Sequence, residues 1–210
     1  MRQENRIRLL VVDDHQAFRM GLVAMVNEYP DLQVVAEAGT GAQAIDLCRT
    51  CRPDVVLMDL RLPGLGGVEA TLAIKRQFPA SRIIVITTYD GDEDIYRALQ
   101  SGAKGYLLKD MSKEELVDAI RAVHGGGCHI PPNVANRLAA RVGRPDLTLK
   151  EIEVLKFVVK GKSNKEIAHE LHVTDDTVKG HLKNVFAKLG VSDRTQAAIS
   201  ALQHGIMHLE

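Results

Sequence analysis

Five side chains, far apart along the chain, could together handle a phosphoryl group: the Asp13-Asp14 pair, Asp59, Thr87 and Lys109. Each closes or follows a short apolar run of the kind that forms a buried strand. If those strands lie side by side in a doubly wound sheet, their ends meet at its carboxyl edge, where such folds bind ligands. Three clustered carboxylates repel one another unless a cation sits among them. Mg2+ suits the task, because it is a hard ion that takes a few carboxylates and keeps several waters. A carboxylate can then attack phosphorus and become an aspartyl phosphate, with the cation and a lysine offsetting the charge. No Gly-rich nucleotide loop stands in the sequence, so ATP is not expected as the direct donor. Taken singly, each residue has a plainer role: Asp14 can cap the helix that follows it, and Lys109 can be a solvated charge. Thr88 competes with Thr87, since alternation along a strand turns only one of them inward.

The elements that would position these groups are legible in the first 124 residues. Continuous apolar runs at 7–12, 33–38, 54–58, 82–87 and 105–108 fit strands covered on both faces. Amphipathic stretches at 15–28, 41–50, 67–77, 92–101 and 112–124 alternate with them. Five such units predict an α/β fold, a doubly wound five-stranded parallel sheet with helices on both faces.

The pattern changes after His124. Gly125-Gly126-Gly127 and Pro131-Pro132 punctuate the chain, and no strand-like run returns. One helix is expected at 133–142, then four more at 148–160, 163–171, 174–189 and 192–204, each opened by Ser or Thr at its N-cap. Both Thr148-Leu149-Lys150-Glu151 and Ser163-Asn164-Lys165-Glu166 read as capping boxes. The predicted organisation is a first domain at 6–124, a linker with one helix at 125–146, and an all-α domain at 147–210.

The second and third of the four helices have helix-turn-helix spacing, which would place the later helix in a DNA major groove. Val178, Leu182, Val185 and Leu189 repeat at helical spacing and should face the core. The other face carries Lys179, Gly180, Lys183, Asn184 and Lys188, groups that can meet bases and phosphates. Asp175 and Asp176 belong in the first turn, where acids favour the helix dipole, and are expected to point away from DNA. A generic helical unit with a solvated lysine face would show the same periodicity.

Composition limits the remaining choices. The chain has 210 residues, 45% hydrophobic and 26% charged, and no formal net charge, as in an ordinary soluble globular protein. Residues 1–130 hold 15 Lys and Arg against 18 Asp and Glu, and residues 131–210 hold 12 against 9. That asymmetry is too small to argue DNA binding by itself. The sequence contains neither an apolar run near the roughly 18 residues of a membrane span nor a signal-peptide pattern, so a cytoplasmic location is expected. Cys48 and Cys51 form a C-x-x-C without a second pair, and with Cys128 they read as inert thiols.

Particular words of the sequence go further. Val11-Val12-Asp13-Asp14-His15, Val56-Leu57-Met58-Asp59-Leu60-Arg61-Leu62-Pro63-Gly64 and Gly102-Ala103-Lys104-Gly105-Tyr106-Leu107-Leu108-Lys109-Asp110 resemble the signatures of flavodoxin-like receiver domains. Leu147-Thr148, Glu151-Ile152-Glu153-Val154-Leu155, Gly161 to Ala168, Thr177-Val178-Lys179 with His181, and Leu189-Gly190-Val191 with Asp193-Arg194-Thr195-Gln196-Ala197 resemble the LuxR-type DNA-binding domain. Together they resemble the NarL/FixJ family of two-component response regulators. That resemblance implies a transcription regulator, not an enzyme, whose Asp59 takes phosphate from a sensor histidine kinase. It implies Mg2+ held by Asp13, Asp14, Asp59 and the main-chain carbonyl of Arg61. It gives phosphate pairing to Lys109, and a switch to Thr87 (rather than Thr88) with Tyr106. Lys179, Gly180 and Lys183 fall at base-facing positions, and Lys165, Thr177, Asn184 and Arg194 at DNA-backbone positions.

Partners implied are double-stranded DNA with two-fold symmetric promoter sites, a second copy of the chain when phosphorylated, and RNA polymerase as a further candidate. The last helix offers Ala197, Ala198, Ile199, Ala201 and Leu202 as either a dimer face or intradomain core. Three departures from the family pattern stand out. Asp110 follows the lysine where proline is frequent, Lys150 stands where arginine is frequent, and Gly180 sits mid-helix, where glycine costs about 1 kcal/mol relative to alanine.

Overall fold

In the computed structural model, which describes residues 6–88 and 91–208, strands and helices alternate through the first half of the chain. Strands β1 (Ile7–Val12), β2 (Leu32–Ala38), β3 (Val55–Met58), β4 (Arg82–Thr87) and β5 (Gly105–Leu108) form one sheet in the order β2-β1-β3-β4-β5. All neighbours are parallel. The chain leaves β1 for β2 on one side and returns to β3 on the other, so the strand order reverses between β1 and β3. That reversal opens the crevice in which such sheets bind ligands.

Helices α1 (Gln16–Asn27), α2 (Gly41–Cys51), α3 (Gly67–Gln77), α4 (Asp92–Gln100) and α5 (Lys113–His124) connect or follow these strands. The sheet separates two apolar layers. One joins Leu9, Val11, Leu57, Ile84 and Leu107 to Leu22 and Val26 of α1 and to Leu116, Ile120 and Val123 of α5. The other joins Leu10, Val12, Val56, Met58 and Ile83 to Ala44 and Cys48 of α2 and to Ala70 and Ile74 of α3. Successive strand residues therefore enter opposite layers, which is why the runs read as continuously apolar.

By contact density the described chain falls into two compact units, divided between Ala135 and Asn136, with Gly91–Asp94 grouped with the second. The segment after α5 is not a free linker. Tyr106 donates its backbone N–H to the His129 carbonyl, and His129 donates to the Lys104 carbonyl, which adds a short parallel bridge along β5. No strand-like run marks His129 in the sequence.

The rest is helical: α6 (Pro132–Val142), α7 (Leu149–Val159), α8 (Asn164–Glu170), α9 (Asp175–Leu189) and α10 (Arg194–Gln203). Both expected capping boxes form, Thr148 with Glu151 and Ser163 with Glu166. Thr174 caps α9, but α10 is capped by Asp193, whose carboxylate accepts from the Gln196 N–H, and not by Ser192. Gly190 ends α9 with φ 67°, a left-handed conformation that favours glycine. Val154, Leu155 and Val158 of α7 pack with Ile167, Val178, Leu182, Val185, Ala197 and Ala201 as the core of this unit. No helix among the described residues is long and apolar enough to cross a membrane. Leu209-Glu210 lies outside the described residues.

Candidate functional site

Backbone bonds carry the sheet ladder one residue past the strands and set the acidic groups in place. Asp13 donates its N–H to Ala38, Asp59 to Val12, and Lys109 to Thr87. Three residues from distant parts of the chain are thus held at one sheet edge. The Lys109 ammonium lies 2.6 Å from Asp13 Oδ2 and 2.7 Å from Asp59 Oδ2. It also sits 4.7 Å from the centre of the Phe18 ring. Arg19 donates to the Asp13 carbonyl at 2.6 Å, and the Arg61 N–H reaches Asp59 Oδ1 at 3.3 Å.

Asp13 and Asp59 are almost fully buried, whereas Asp14 is exposed. Burial pushes the Asp59 carboxyl above its usual range, although the Lys109 ammonium pulls the other way. Burial would lower Lys109, but its bonds to Asp13 and Asp59 prevail and hold it above the usual lysine value. Asp14 does not cap α1; the N-cap is His15, without a side-chain cap bond, and His15 Nδ1 lies 2.7 Å from Asp14 Oδ1.

The donor set suits a small divalent cation. One ligand atom each from Asp13, Asp14, His15 and Asp59 falls within 4.8 Å of the others. Three carboxylates against one ammonium leave net negative charge, and hard oxygen donors match Mg2+. His15 was not anticipated as part of this cluster; its place beside Asp14 was the available signal.

The two threonines differ in burial. Thr87 is fully buried at the end of β4, and Thr88 is exposed. Tyr106 is fully buried on β5. Gly67 explains part of the local sequence. A Cβ there would come within 1.9 Å of the Asp59 carbonyl oxygen, so α3 can begin this close to the Asp59 loop only with glycine.

In the second unit, Val178, Leu182 and Val185 are buried and Leu189 is half-buried, as their spacing requires. Lys165, Thr177, Lys179, Gly180, Lys183 and Asn184 are exposed. Lys179 leans onto its own helix, 2.7 Å from Asp175 and 3.1 Å from Asp176. Two cations behave differently from a free DNA face. Lys188 is turned inward, 2.7 Å from the buried Glu151 carboxylate and 3.0 Å from the Asp146 carbonyl. Arg194 is half-buried and donates to Asn164 Oδ1 at 3.2 Å and to the Lys162 carbonyl. Of the residues offered on the last helix, Ala197 and Ala201 are core, Ala198 and Leu202 are half-buried, and Ile199 is exposed.

A carboxylate pocket at the switch point of a parallel sheet, followed along the chain by a helix-turn-helix unit, defines a signal receiver joined to a regulator of transcription. Residues 9–121 match the model of the response regulator receiver domain, and residues 145–201 match that of the bacterial regulatory proteins of the luxR family. The chain belongs to the NarL/FixJ family of two-component response regulators. It is 40% identical over 210 residues to the transcriptional regulatory protein LiaR of Bacillus subtilis, covering 96% of this chain and 100% of that one. It is 39% identical over 206 residues to the response regulator VraR of Staphylococcus aureus, covering 96% and 99%. Among solved structures it is similar to the response regulator ChrA of a heme-sensing two-component system, with TM-score 0.59 and 38% identity over 97% of this chain and 100% of that one. It is also similar to RcsB in an RcsB–DNA complex, with TM-score 0.69 and 27% identity over 93% and 98%.

Proposed function

We propose that Asp59 accepts a phosphoryl group from the phosphohistidine of a sensor kinase, and that this charge switches a dimeric promoter-binding state. The observation that carries the reading is Lys109 held between two buried aspartates of different strands. In the transfer, an Asp59 oxygen attacks phosphorus as the phosphorus–nitrogen bond to the donor imidazole breaks. Asp59 must be ionised to attack, and Lys109 favours that form against the cost of burial. Mg2+, when held by Asp13, Asp14, Asp59 and the Arg61 carbonyl, would offset charge on the phosphoryl oxygens. Lys109 leaves Asp13 and Asp59 to pair with the new phosphate, and the Thr87 hydroxyl turns toward it. Tyr106 follows on β5, in a population shift set by differential contacts in the two states.

The receiver is taken as 6–124, the connecting segment as 125–146 and the DNA-binding domain as 147–210. Lys179, Gly180 and Lys183 then face bases, while Lys165, Thr177 and Asn184 meet the backbone, with Arg194 contributing only what its internal bonds leave. Partners are a histidine kinase, two-fold symmetric promoter DNA, a second copy of the chain and RNA polymerase, in the cytoplasm. The protein is a regulator without catalytic turnover of its own. Relatives named as transcriptional regulators, and RcsB solved on DNA, support this reading.

The test is DNA binding by fluorescence anisotropy on an operator selected from random duplexes, with and without phosphorylation. Phosphorylation should tighten binding at least about tenfold in the parent chain and not at all in Asp59→Asn, since coupling of this kind is of order 1–3 kcal/mol. Equal affinity in both states would refute the switch.

A further inference from the structure

The receiver carries a second charged cavity at the opposite, amino edge of its sheet. A space of about 370 Å³ opens beside the end of α2 and the beginnings of β3 and β4, with Arg49, Arg52, Arg82, Asp54, Pro53 and Phe78 on its walls. Three guanidinium groups thus share one cavity with a single carboxylate. That carboxylate is already engaged, since Asp54 Oδ2 accepts the Arg8 backbone N–H at 2.8 Å. Arg49 reaches only Asp46 at 3.5 Å and Gln77 at 3.3 Å. Among the described residues, the side chains of Arg52 and Arg82 make no ion pair or hydrogen bond.

Two further observations sharpen this. Lys75, whose ammonium is capped by the carbonyls of Pro79 and Ser81 at the cavity's rim, is held below the usual lysine value by burial and then by Lys104 and Arg82. Arg49, Arg52 and Arg82 thus gather positive charge on a domain whose overall balance is acidic. Arg52, moreover, stands at φ 46° and ψ 62°, a left-handed conformation that disfavours any residue with a side chain. The negative end of α2 accounts for Arg49 in its last turn, but Arg52 lies beyond that helix and Arg82 begins a strand.

We propose that this cavity binds a small organic anion bearing two neighbouring phosphate or carboxylate groups on a flat or apolar body. The unpaired forks of Arg52 and Arg82 match such groups in bidentate geometry. Phe78 and Pro53 supply the apolar wall for the body. Burial pushes the neighbouring Cys48 thiol up to about 12, so it stays protonated and adds no opposing charge. The volume falls within the roughly 300–1,000 Å³ of small-molecule sites. No divalent cation is needed, which separates this site from the acidic pocket.

The test is calorimetric titration of the full-length chain with ADP, pyrophosphate and citrate in the absence of Mg2+, followed by backbone NMR. Saturable one-site binding is expected, weakening with salt, with shifts confined to residues 48–54 and 78–82. Arg52→Gly is the informative variant, because it deletes one guanidinium while relieving the left-handed backbone. It should melt at or above the parent temperature yet lose at least about tenfold in affinity, as should Arg82→Gln, for the loss of one charge-assisted bidentate pair. Binding of the two phosphate probes alone would identify phosphate as the recognised group, and binding of citrate alone would identify carboxylate. No saturable binding of any probe, or affinity unchanged in both variants, overturns the proposal.

Discussion

Lys109 and Lys179 are each held by two aspartates, and the two regions put that arrangement to opposite uses. Lys109 is 12% exposed and draws its partners from strands 96 and 50 residues away, at 2.6 and 2.7 Å. Lys179 is 58% exposed and takes its partners from one helical turn back, at 2.7 and 3.1 Å. The buried group is largely shielded from water, so an incoming charge or a cation is what rearranges it. The exposed pairs are screened and contribute little, so in the proposed reading Lys179 can exchange its aspartates for a base edge. A receiver stores its signal in buried charge, and a DNA-reading surface keeps its charge available.

The largest expected effect tests how tightly the buried region is built. Gly67→Ala would force a methyl against the Asp59 carbonyl. It should destabilise the receiver by more than about 3 kcal/mol, beyond the usual range for overpacking because the clash is with backbone, and slow phosphorylation of Asp59 in a mass-based time course. Unaltered stability and rate would mean that the acceptor loop yields freely.

Next comes the buried ion pair of the second unit. Removing Lys188 as Lys188→Met leaves the Glu151 carboxylate buried with its Thr148 bonds but no cation. Loss of about 3 kcal/mol is expected from thermal melts, as for other broken buried pairs. The carboxyl of Glu151 is held below its ordinary 4.5 by the Lys188 and Thr148 bonds, which outweigh burial. A depressed carboxylate stabilises the fold above its unfolded value and stops doing so as pH falls through the folded one. Parent and variant should therefore converge in stability as pH drops below 4.5.

Arg194 and Lys183 divide scaffold from reader. Arg194→Ala should cost about 1–2 kcal/mol of stability, because its bonds tie α10 to the start of α8. Lys183→Ala should leave the melting temperature alone, weaken DNA binding by about 1–3 kcal/mol and relax specificity at one base pair. The reverse pattern would exchange their roles. The smallest effect belongs to Gly180, around which an added Cβ meets nothing within 4 Å. Since the protein itself does not demand glycine there, Gly180→Ala should stabilise the free chain by about 1 kcal/mol. A simultaneous loss of DNA affinity would place the bare backbone against the groove.

These contrasts also explain what the sequence could disclose. Continuous apolar runs marked all five strands, and the capping boxes at Thr148 and Ser163 marked helix starts, because both signals are local. The acidic pocket was legible because its members sit at the ends of such runs. Thr87 and Thr88 were not separable without family resemblance, since one residue of register decides which is buried. The inward turns of Lys188 and Arg194 depend on partners 37 and 30 residues away, which helical periodicity cannot reveal. His129 beside β5 lies outside any apolar pattern, so the sequence places it in the connecting segment.

The central claim is that Asp59 is the acceptor in a cation-assisted pocket. Intact mass after incubation with acetyl phosphate and Mg2+ tests it most directly. A single phosphoryl adduct is expected, absent in Asp59→Asn and absent when Mg2+ is withheld. No adduct on the folded parent chain, or an adduct that persists in Asp59→Asn, would contradict the account.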